Sequence, residues 1–317
     1  MPLKIRIGSR PSKLALAQAA IVRDRLVAQD PAIKIEIVEI HTSGDKMTSA
    51  SLADIGGKGL FIKELEQALA DGKVDIAVHS MKDLPAVLPP QFRLAAVPVR
   101  ENTADILVTR DGSTLSALAA GARVGTSSTR RKFQALRVNP ALDVQPLRGN
   151  VDTRLAREAD GTFDAVIIAM AGVKRLGRVN DLKFVELDAR DFISSGGQGA
   201  LAIETLADRK ADELDRALAA INDARAFYET AAERAFLAAL GASCTTPVGV
   251  RARLDGDQLG LAAMLFSPDG SRELSDAIVE ARDPKLAPSA AENSGRRFAE
   301  VMIERGADAM LGKERIA

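Results

Sequence analysis

Apolar and polar positions alternate along the first part of the chain in segments that predict strands and helices in turn. Residues 5–7 have a short strand pattern, and residues 11–29 have the spacing of a helix with a proline in its first turn. Apolar residues at every second position predict a half-buried strand over 33–37, followed by a helix over 60–70 and a buried strand over 74–78. This order indicates an α/β fold.

A long loop interrupts this order at residues 42–59, which are rich in glycine, serine and threonine. Loops of that length in compact domains are usually functional lids or disordered segments. The sequence leaves both alternatives open at this point.

A second block of the chain repeats the plan of the first. Residues 6–9 (Arg-Ile-Gly-Ser) are echoed by residues 123–126 (Arg-Val-Gly-Thr), and residues 72–78 are echoed by residues 161–167. The order of the matching segments is the same in both blocks. We therefore expect two related α/β domains with mainly parallel sheets and a boundary near residues 100–104.

The last third of the chain has a different pattern. Residues 224–240 predict an alanine-rich amphipathic helix, and residues 248–254 and 259–266 predict a β-hairpin around an Asp-Gly-Asp turn. A further strand over 274–281 and a closing helix over 290–311 complete the pattern. Strands followed by a helix indicate a small α+β domain.

Composition narrows the possible functions of these domains. The 317 residues suit two or three domains, and 46% of them are apolar. Lys plus Arg and Asp plus Glu number 43 each, which argues against a strongly basic nucleic-acid binder. With one cysteine the chain cannot form an intramolecular disulfide, and one cysteine and two histidines provide few ligands for a metal site. With neither a signal peptide nor a membrane-spanning segment in the pattern, we expect a cytoplasmic protein.

Positive charge is concentrated in one part of the chain. Eight basic and only two acidic residues lie between Arg123 and Arg157. Such a run is commonly a solvated helix face. Here, however, residues 127–129 lie where a strand turns into a helix, so backbone N–H groups and hydroxyls can bind an anion there. Residues 148–150 and residues 9–12 form similar corners, and together they predict a cleft that binds a polyanion.

Two other residues stand where chemistry is expected. Asp83 follows a buried strand of an open α/β sheet, where ligands commonly bind, although a turn or helix-cap aspartate would look the same. We expect His79 to be a packed residue rather than a base. Cys244 lies in a polar loop after a predicted helix, which favours a reactive or modified thiol over a buried one.

Segments that run in the same order across almost the whole chain resemble the porphobilinogen deaminases, also called hydroxymethylbilane synthases. They are residues 7–12 and 14–18, 56–61 (Gly-Gly-Lys-Gly-Leu-Phe), 79–85 (His-Ser-Met-Lys-Asp-Leu-Pro), 124–131, 147–150, 174–177, 197–199 and the loop of Cys244. Any one of them alone is a weak signal, whereas the ordered set is highly specific.

The resemblance implies a fold of three domains. Residues 1–99 with 199–218 would form α/β domain 1, with the catalytic aspartate and a lid over 42–59. Residues 104–194 would form α/β domain 2, with the arginine-rich corners, and 221–317 an α+β domain 3 with the cysteine loop. The first two would resemble a periplasmic binding protein, and the chain would cross back near Gly199.

The resemblance also implies an activity. The family condenses four porphobilinogen molecules head to tail into the linear tetrapyrrole hydroxymethylbilane, with release of ammonia, in haem biosynthesis. It extends a dipyrromethane cofactor that is made from two substrate units and is attached through a thioether, here to Cys244. We expect a monomer whose partner is the small-molecule substrate, with no nucleic acid, membrane or metal.

Site residues follow from the matching positions. Asp83 would be the catalytic carboxylate, which stabilises the cation that forms when ammonia leaves the substrate. The acetate and propionate groups of cofactor and substrate call for basic and hydroxyl side chains, and Phe61 could stack on a pyrrole. The positions that match binding residues are Arg10, Ser12, Lys58, Phe61, Lys82, Thr126, Ser127, Ser128, Arg130, Arg131, Arg148, Gly149, Arg154, Arg175 and Gln198.

Two other functions are compatible with part of this pattern. A non-catalytic small-anion binding module of periplasmic type would explain two α/β domains and the anion corners, but not the third domain or Cys244. An enzyme acting on a phosphosugar or nucleotide would use the same corners, although no Gly-x-x-x-x-Gly-Lys-Ser/Thr loop supports it.

Overall fold

A computed structural model describes residues 2–42, 62–209, 212–243 and 245–312 of the chain. Its strands in chain order are β1 (Lys4–Ser9), β2 (Lys34–Glu39), β3 (Ile76–Ser80), β4 (Phe92–Ala96), β5 (Asp105–Thr109), β6 (Arg123–Gly125), β7 (Asp143–Gln145), β8 (Ala165–Ala169), β9 (Phe184–Glu186), β10 (Leu201–Leu206), β11 (Val248–Asp255), β12 (Gln258–Phe266) and β13 (Glu273–Ala281). Its helices are α1 (Lys13–Gln29), α2 (Lys63–Ala70), α3 (Thr129–Val138), α4 (Val151–Ala159), α5 (Met170–Arg175), α6 (Glu213–Ile221), α7 (Ala224–Ala239), α8 (Pro288–Glu304) and α9 (Ala307–Met310).

Two five-stranded sheets share one strand order, which confirms the predicted repeat and the α/β class. The first sheet runs β2-β1-β3-β10-β4 and the second β7-β6-β8-β5-β9. In each sheet two neighbouring strand pairs are parallel and the other two are antiparallel. Four of the five strands in each sheet therefore run in one direction, as expected of mainly parallel sheets. The exceptions are β10 in the first sheet and β5 in the second, which each arrive from the other sheet and enter in the opposite direction.

An ion pair recurs at corresponding places in the two sheets. The backbone N–H of Arg6 donates to Asp75 at 2.7 Å, and its guanidinium Nη2 donates to the same carboxylate at 2.8 Å. Arg123 makes the same two bonds to Asp164, at 2.8 and 3.2 Å. The repeat seen in the sequence therefore extends to a side-chain contact that joins two neighbouring strands.

The chain passes between the two sheets twice, through residues 97–104 and residues 187–200. The two crossing segments touch, because the backbone N–H of Glu101 donates to the carbonyl oxygen of Gly199 at 3.0 Å. Gly199 has φ +85°, and a Cβ atom there would lie 2.3 Å from the carbonyl oxygen of Glu101. Glycine is thus required at this position by both its backbone conformation and its close contact.

A third sheet, β11-β12-β13, is antiparallel and carries α7 and α8. Phe236 and Phe298 from these helices pack in its core with ring centroids 5.2 Å apart. The hairpin between β11 and β12 is as predicted. The closing helix predicted over 290–311 is instead two helices, α8 and α9, because Gly306 adopts φ +99°, outside the helical region.

Each sheet together with its helices is called the first, second or third unit below. Helix α6, which the sequence pattern did not reveal, begins with a capping box at Asp212 and packs Leu214 and Leu218 into the core of the first unit. The domain limits given above stay a prediction, which the strand content of the sheets supports. Within the described ranges, no helix combines the length and the hydropathy that crossing a membrane requires.

Candidate active site

The segment that follows β3 carries Lys82 and Asp83. A single 3₁₀ turn, Met81–Asp83, comes directly after the strand, with Met81 buried and Asp83 exposed. The ammonium of Lys82 donates a hydrogen bond of 3.1 Å to Oε1 of Gln198. The carboxylate of Asp83 accepts no hydrogen bond from the described residues, so its oxygens are available to a ligand.

Charged groups of the second unit face this segment. Burial lowers the pKa of Lys82 to about 8, with help from the charge of Arg131 and against that of Asp83. Burial and Arg131 also lower the pKa of Arg154, to about 10, while Asp83 opposes the change. The charge of Arg131 in the second unit therefore acts on Lys82 in the first, and the charge of Asp83 in the first unit acts on Arg154 in the second.

Arg175 lies near the same place, at the end of α5. Its Nη2 donates a hydrogen bond of 2.6 Å to the carbonyl oxygen of Gly199, and burial lowers its pKa to about 10. Three half-buried cations thus carry depressed pKa values: Lys82, Arg154 and Arg175. Such groups are stabilised when an anion binds beside them.

Hydroxyl groups line the start of α3. Ser128 caps this helix, with its Oγ accepting from the backbone N–H of Arg131 at 3.4 Å. Thr126 Oγ1 accepts from the N–H of Ser128 at 3.2 Å, whereas Ser127 donates its hydroxyl to Leu147 O at 2.7 Å. The hydroxyl protons of Thr126 and Ser128 have no acceptor among the described residues and are available to an anion.

A second corner forms at the start of α4. Asn150 caps this helix through its Oδ1, which accepts from the N–H of Thr153 at 2.8 Å. Gly149 adopts φ +104°, and its carbonyl oxygen accepts from Nε of Arg154 at 2.9 Å. Arg148 is exposed just before it. The corner therefore holds the side chain of Arg154 against the backbone of Gly149, and its binding of an anion stays a prediction.

Several arginines of the basic run between Arg123 and Arg157 form ion pairs in the structure, so the run carries less unpaired positive charge than its sequence suggests. Arg130 Nη1 lies 2.8 Å and Arg131 Nη2 lies 2.7 Å from the carboxylate of Asp105, which is fully buried. The anion expected at the start of α3 is thus supplied in part by the protein itself. Three more arginines of the run pair with carboxylates: Arg123, Arg137 and Arg157.

Sequence reasoning missed Asp105. It precedes the basic run by some distance, and the only signal was a lone acidic residue at the start of an apolar strand. Whether Arg130 and Arg131 also contact a ligand stays a prediction.

The residues beside Cys244 lie at the start of α3. Thr129, the first residue of that helix, donates its hydroxyl to the carbonyl oxygen of Thr245 at 3.2 Å. The backbone N–H of Ser243 donates to Oγ1 of Thr246 at 2.9 Å, which closes the loop. Cys244 itself lies outside the described residues. The same is true of Lys58, Phe61 and nearly all of the predicted lid.

Three further candidates occupy the first unit. Ser12 caps α1, with its Oγ accepting from the N–H of Ala15 at 3.2 Å, and half-buried Arg10 lies just before it. His79 is buried, and its Nε2 lies 3.0 Å from Oε2 of buried Glu204. His79 is therefore a packed residue within the sheet, as expected.

The arrangement suits a ligand with several carboxylate groups and positive charge near its centre. Half-buried cations and unused hydroxyl protons can bind carboxylates, while the exposed Asp83 can face a cation or an N–H donor. Across the ranges that the structure describes, no group of three or more His, Cys, Asp or Glu residues is placed to hold a metal ion.

Comparison with solved structures finds ligand-binding proteins. A probable amino-acid ABC transporter extracellular-binding protein of Bacillus subtilis aligns with a TM-score of 0.43 and 15% identity, over 69% of this chain and 91% of that chain. A methionine binding protein aligns with a TM-score of 0.42 and 11% identity, over 70% of this chain and 91% of that chain.

Comparison of sequences finds much closer relatives. Residues 5–213 match the family model of the porphobilinogen deaminase dipyromethane cofactor binding domain, and residues 227–304 match that of the porphobilinogen deaminase C-terminal domain. A porphobilinogen deaminase of Sorangium cellulosum is 48% identical over 276 residues, covering 86% of this chain and 90% of the relative. Another, of Burkholderia pseudomallei, is 45% identical over 311 residues, covering 98% of this chain and 93% of the relative.

Proposed function

Since this chain belongs to the porphobilinogen deaminase family, we propose that Asp83, Lys82 and Arg154 form the centre of its active site. The enzyme is a transferase of tetrapyrrole biosynthesis. It joins four molecules of porphobilinogen head to tail into hydroxymethylbilane and releases four of ammonia. The alternative of a non-catalytic anion-binding module is not favoured, because the family match also covers the third unit.

The dipyrromethane cofactor supplies, when bound, the free pyrrole α-carbon at which the first substrate unit is added. We propose that the thiol of Cys244 attaches it. The residues proposed to hold its acetate and propionate groups are Lys82, Thr126, Ser128, Arg148 and Arg154. They fit this role because the half-buried Lys82 and Arg154 have lowered pKa values and the hydroxyl protons of Thr126 and Ser128 have no described acceptor.

Asp83 supplies the negative charge that each condensation needs. Each step breaks the bond between the aminomethyl carbon and nitrogen of porphobilinogen and forms a carbon–carbon bond, and the nitrogen leaves as ammonia. Positive charge develops on the substrate pyrrole between these events. An exposed carboxylate that accepts no hydrogen bond from the described residues can accept from the pyrrole N–H and stabilise this charge.

The basic residues bind and orient the substrate. Every pyrrole unit brings one acetate and one propionate, and Lys82, Arg154 and Arg175 supply charge-assisted hydrogen bonds for such groups. Holding the ring beside Asp83 converts a bimolecular encounter into a step between positioned groups. The observation that carries the proposal is that the charge of exposed Asp83 acts on Lys82 beside it and on Arg154 of the second unit, and raises the pKa of both cations.

Product analysis of the purified enzyme tests this function. With porphobilinogen as the only substrate, we expect one linear tetrapyrrole and four ammonia for every four substrate molecules consumed. Binding of porphobilinogen without release of ammonia would overturn the proposal and favour the anion-binding module.

We also propose that the enzyme acts as a monomer in the cytoplasm. The large apolar side chains that are exposed in the described parts are single valines: Val27, Val87, Val99, Val279 and Val301. Scattered apolar residues do not make a stable interface. Light scattering during size-exclusion chromatography should give the mass of one chain, and a dimer mass would contradict this.

A further inference from the structure

Asp105 is the buried carboxylate at the start of β5, directly after the first crossing segment. Its Oδ2 accepts from Nη1 of Arg130 at 2.8 Å, and its Oδ1 accepts from Nη2 and Nε of Arg131 at 2.7 and 3.0 Å. Burial alone would raise the pKa of this carboxyl, but the two guanidinium groups hold it well below its usual range. Asp105 is therefore an anion with fixed partners.

Gln198, in the second crossing segment, links Asp105 to Lys82. Its buried amide donates from Nε2 to Oδ1 of Asp105 at 2.9 Å and to the carbonyl oxygen of Thr103 at 2.8 Å, while its Oε1 accepts from Nζ of Lys82 at 3.1 Å. Two acceptors on one side and an ammonium on the other allow only this orientation of the amide. The chain of bonds thus runs from the second unit, through a crossing segment, to the first.

Charges of both signs act on Lys82, and Asp105 is one of them. Burial, Arg131 and Arg130 lower the pKa of Lys82, whereas Asp83 and Asp105 raise it. Without the charge of Asp105, two buried guanidinium groups would act on the ammonium, while the charge of Asp83 would still oppose them. Lys82 would then lose its proton at a lower pH.

We propose that Asp105 is a positioning residue of the active site, which orients Lys82 through Gln198 and keeps it protonated. This rests on the function proposed above only in that Lys82 binds substrate carboxylates. Asp105 is fully buried, so it acts through Gln198 and the two arginines. The buried carboxylate of Asp105 therefore sets the positions of three cations of the proposed site: Lys82, Arg130 and Arg131.

Asp105→Asn tests the proposal because it removes the charge and keeps the shape. Competitive acetylation of the holoenzyme at a series of pH values, read by peptide mass spectrometry, gives the pKa of Lys82 without turnover. We expect this pKa to fall by about one unit. The alkaline limb of kcat/KM should move in the same direction. Intact mass confirms that cofactor is present in each sample.

Asp164→Asn is the matched control. Asp164 also bonds an arginine, Arg123, within the second unit, but it contacts neither Gln198 nor Lys82 among the described residues. It should leave the pKa of Lys82 and the pH profile unchanged. An equal shift in this control would overturn the proposal, because it would show a general effect of removing charge from the second unit.

If Asp105→Asn does not fold, Gln198→Met still tests whether Asp105 acts on Lys82 through Gln198. It removes the link to Lys82 and leaves the bonds between Asp105 and the two arginines in place, so the pKa of Lys82 should again fall. An unchanged pKa of Lys82 in either folded variant would overturn the proposal. Since acetylation needs no turnover, that result is distinct from a failure of the proposed reaction.

Discussion

The hydroxyl of Thr129 donates a hydrogen bond of 3.2 Å to the carbonyl oxygen of Thr245. The first of these residues begins α3 in the second unit, and the second directly follows Cys244 in the third. The start of a helix favours negative charge because its first N–H groups are unpaired and its dipole is positive there. The chain next to the proposed attachment residue is thus held where carboxylates bind well.

Cys244→Ser should abolish cofactor attachment, because a thioether needs the sulfur atom. The intact mass of the wild-type holoenzyme should exceed the mass of the sequence by that of two linked pyrroles. The variant, expressed under the same conditions, should have the bare mass and no activity. An unmodified wild-type protein that still turns over porphobilinogen would contradict the attachment, and so would an active variant.

Asp83→Asn should fold and keep its cofactor but condense porphobilinogen slowly. A neutral amide cannot stabilise positive charge on the substrate, and removing one preorganised electrostatic group commonly lowers kcat by about 10²–10³-fold. The control is Asp24→Asn, which neutralises an exposed carboxylate on α1. Steady-state rates of ammonia release check both variants. A near-normal kcat in Asp83→Asn would show that Asp83 takes no part in the condensation.

The pH dependence of substrate binding should report the ionisation of Lys82. Burial lowers its pKa in the folded protein to about 8, from the ordinary lysine value of 10.5. Its positive charge is therefore complete below that pH and is lost as the pH rises through about 8. We expect kcat/KM to fall over that range, and to fall less in Lys82→Arg, whose guanidinium keeps its charge. An identical alkaline limb in both enzymes would show that another group is responsible.

Arg154→Gln should weaken substrate binding, since it removes a half-buried cation opposite Asp83. A hydrogen bond to a charged group contributes about 1.5–3 kcal/mol, so kcat/KM should fall by roughly 10–100-fold. Arg157→Gln is the control on the same helix, because Arg157 is exposed and pairs with Asp160. Equal kinetics of the two variants would contradict a binding role for Arg154.

Gly199→Ala should destabilise the junction of the two crossing segments. The new Cβ would lie 2.3 Å from Glu101 O at a φ of +85°, so backbone must move. Gly177→Ala is the control, since Gly177 has φ +67° but no atom within 4 Å of its Cβ position. Both variants incur conformational strain of about 1–3 kcal/mol, and the clash should add about 1–3 kcal/mol in Gly199→Ala. Denaturant unfolding measures the difference, and equal free energies of unfolding would contradict the close contact.

Much of the fold followed from short-range pattern. The repeat between residues 6–9 and 123–126 predicted two related units, and the structure adds that Arg6 and Arg123 make the same ion pair in each. The hairpin of the third unit was also correct. The direction of β5 and β10 was not predictable from the pattern, because it depends on which sheet the chain has just left.

The α/β repeat, the ordered motifs and the family can all be read from the order of residues, because periodicity and motifs are properties of residues close together in the chain. Which charges meet depends on how the chain folds. Arg130 and Arg131, which along the sequence look like exposed ligands for an anion, are paired with Asp105, 25 and 26 residues away. The physical reason is that electrostatic and hydrogen-bond energies depend on distance in space and on burial, and both arise only when the sheets pack.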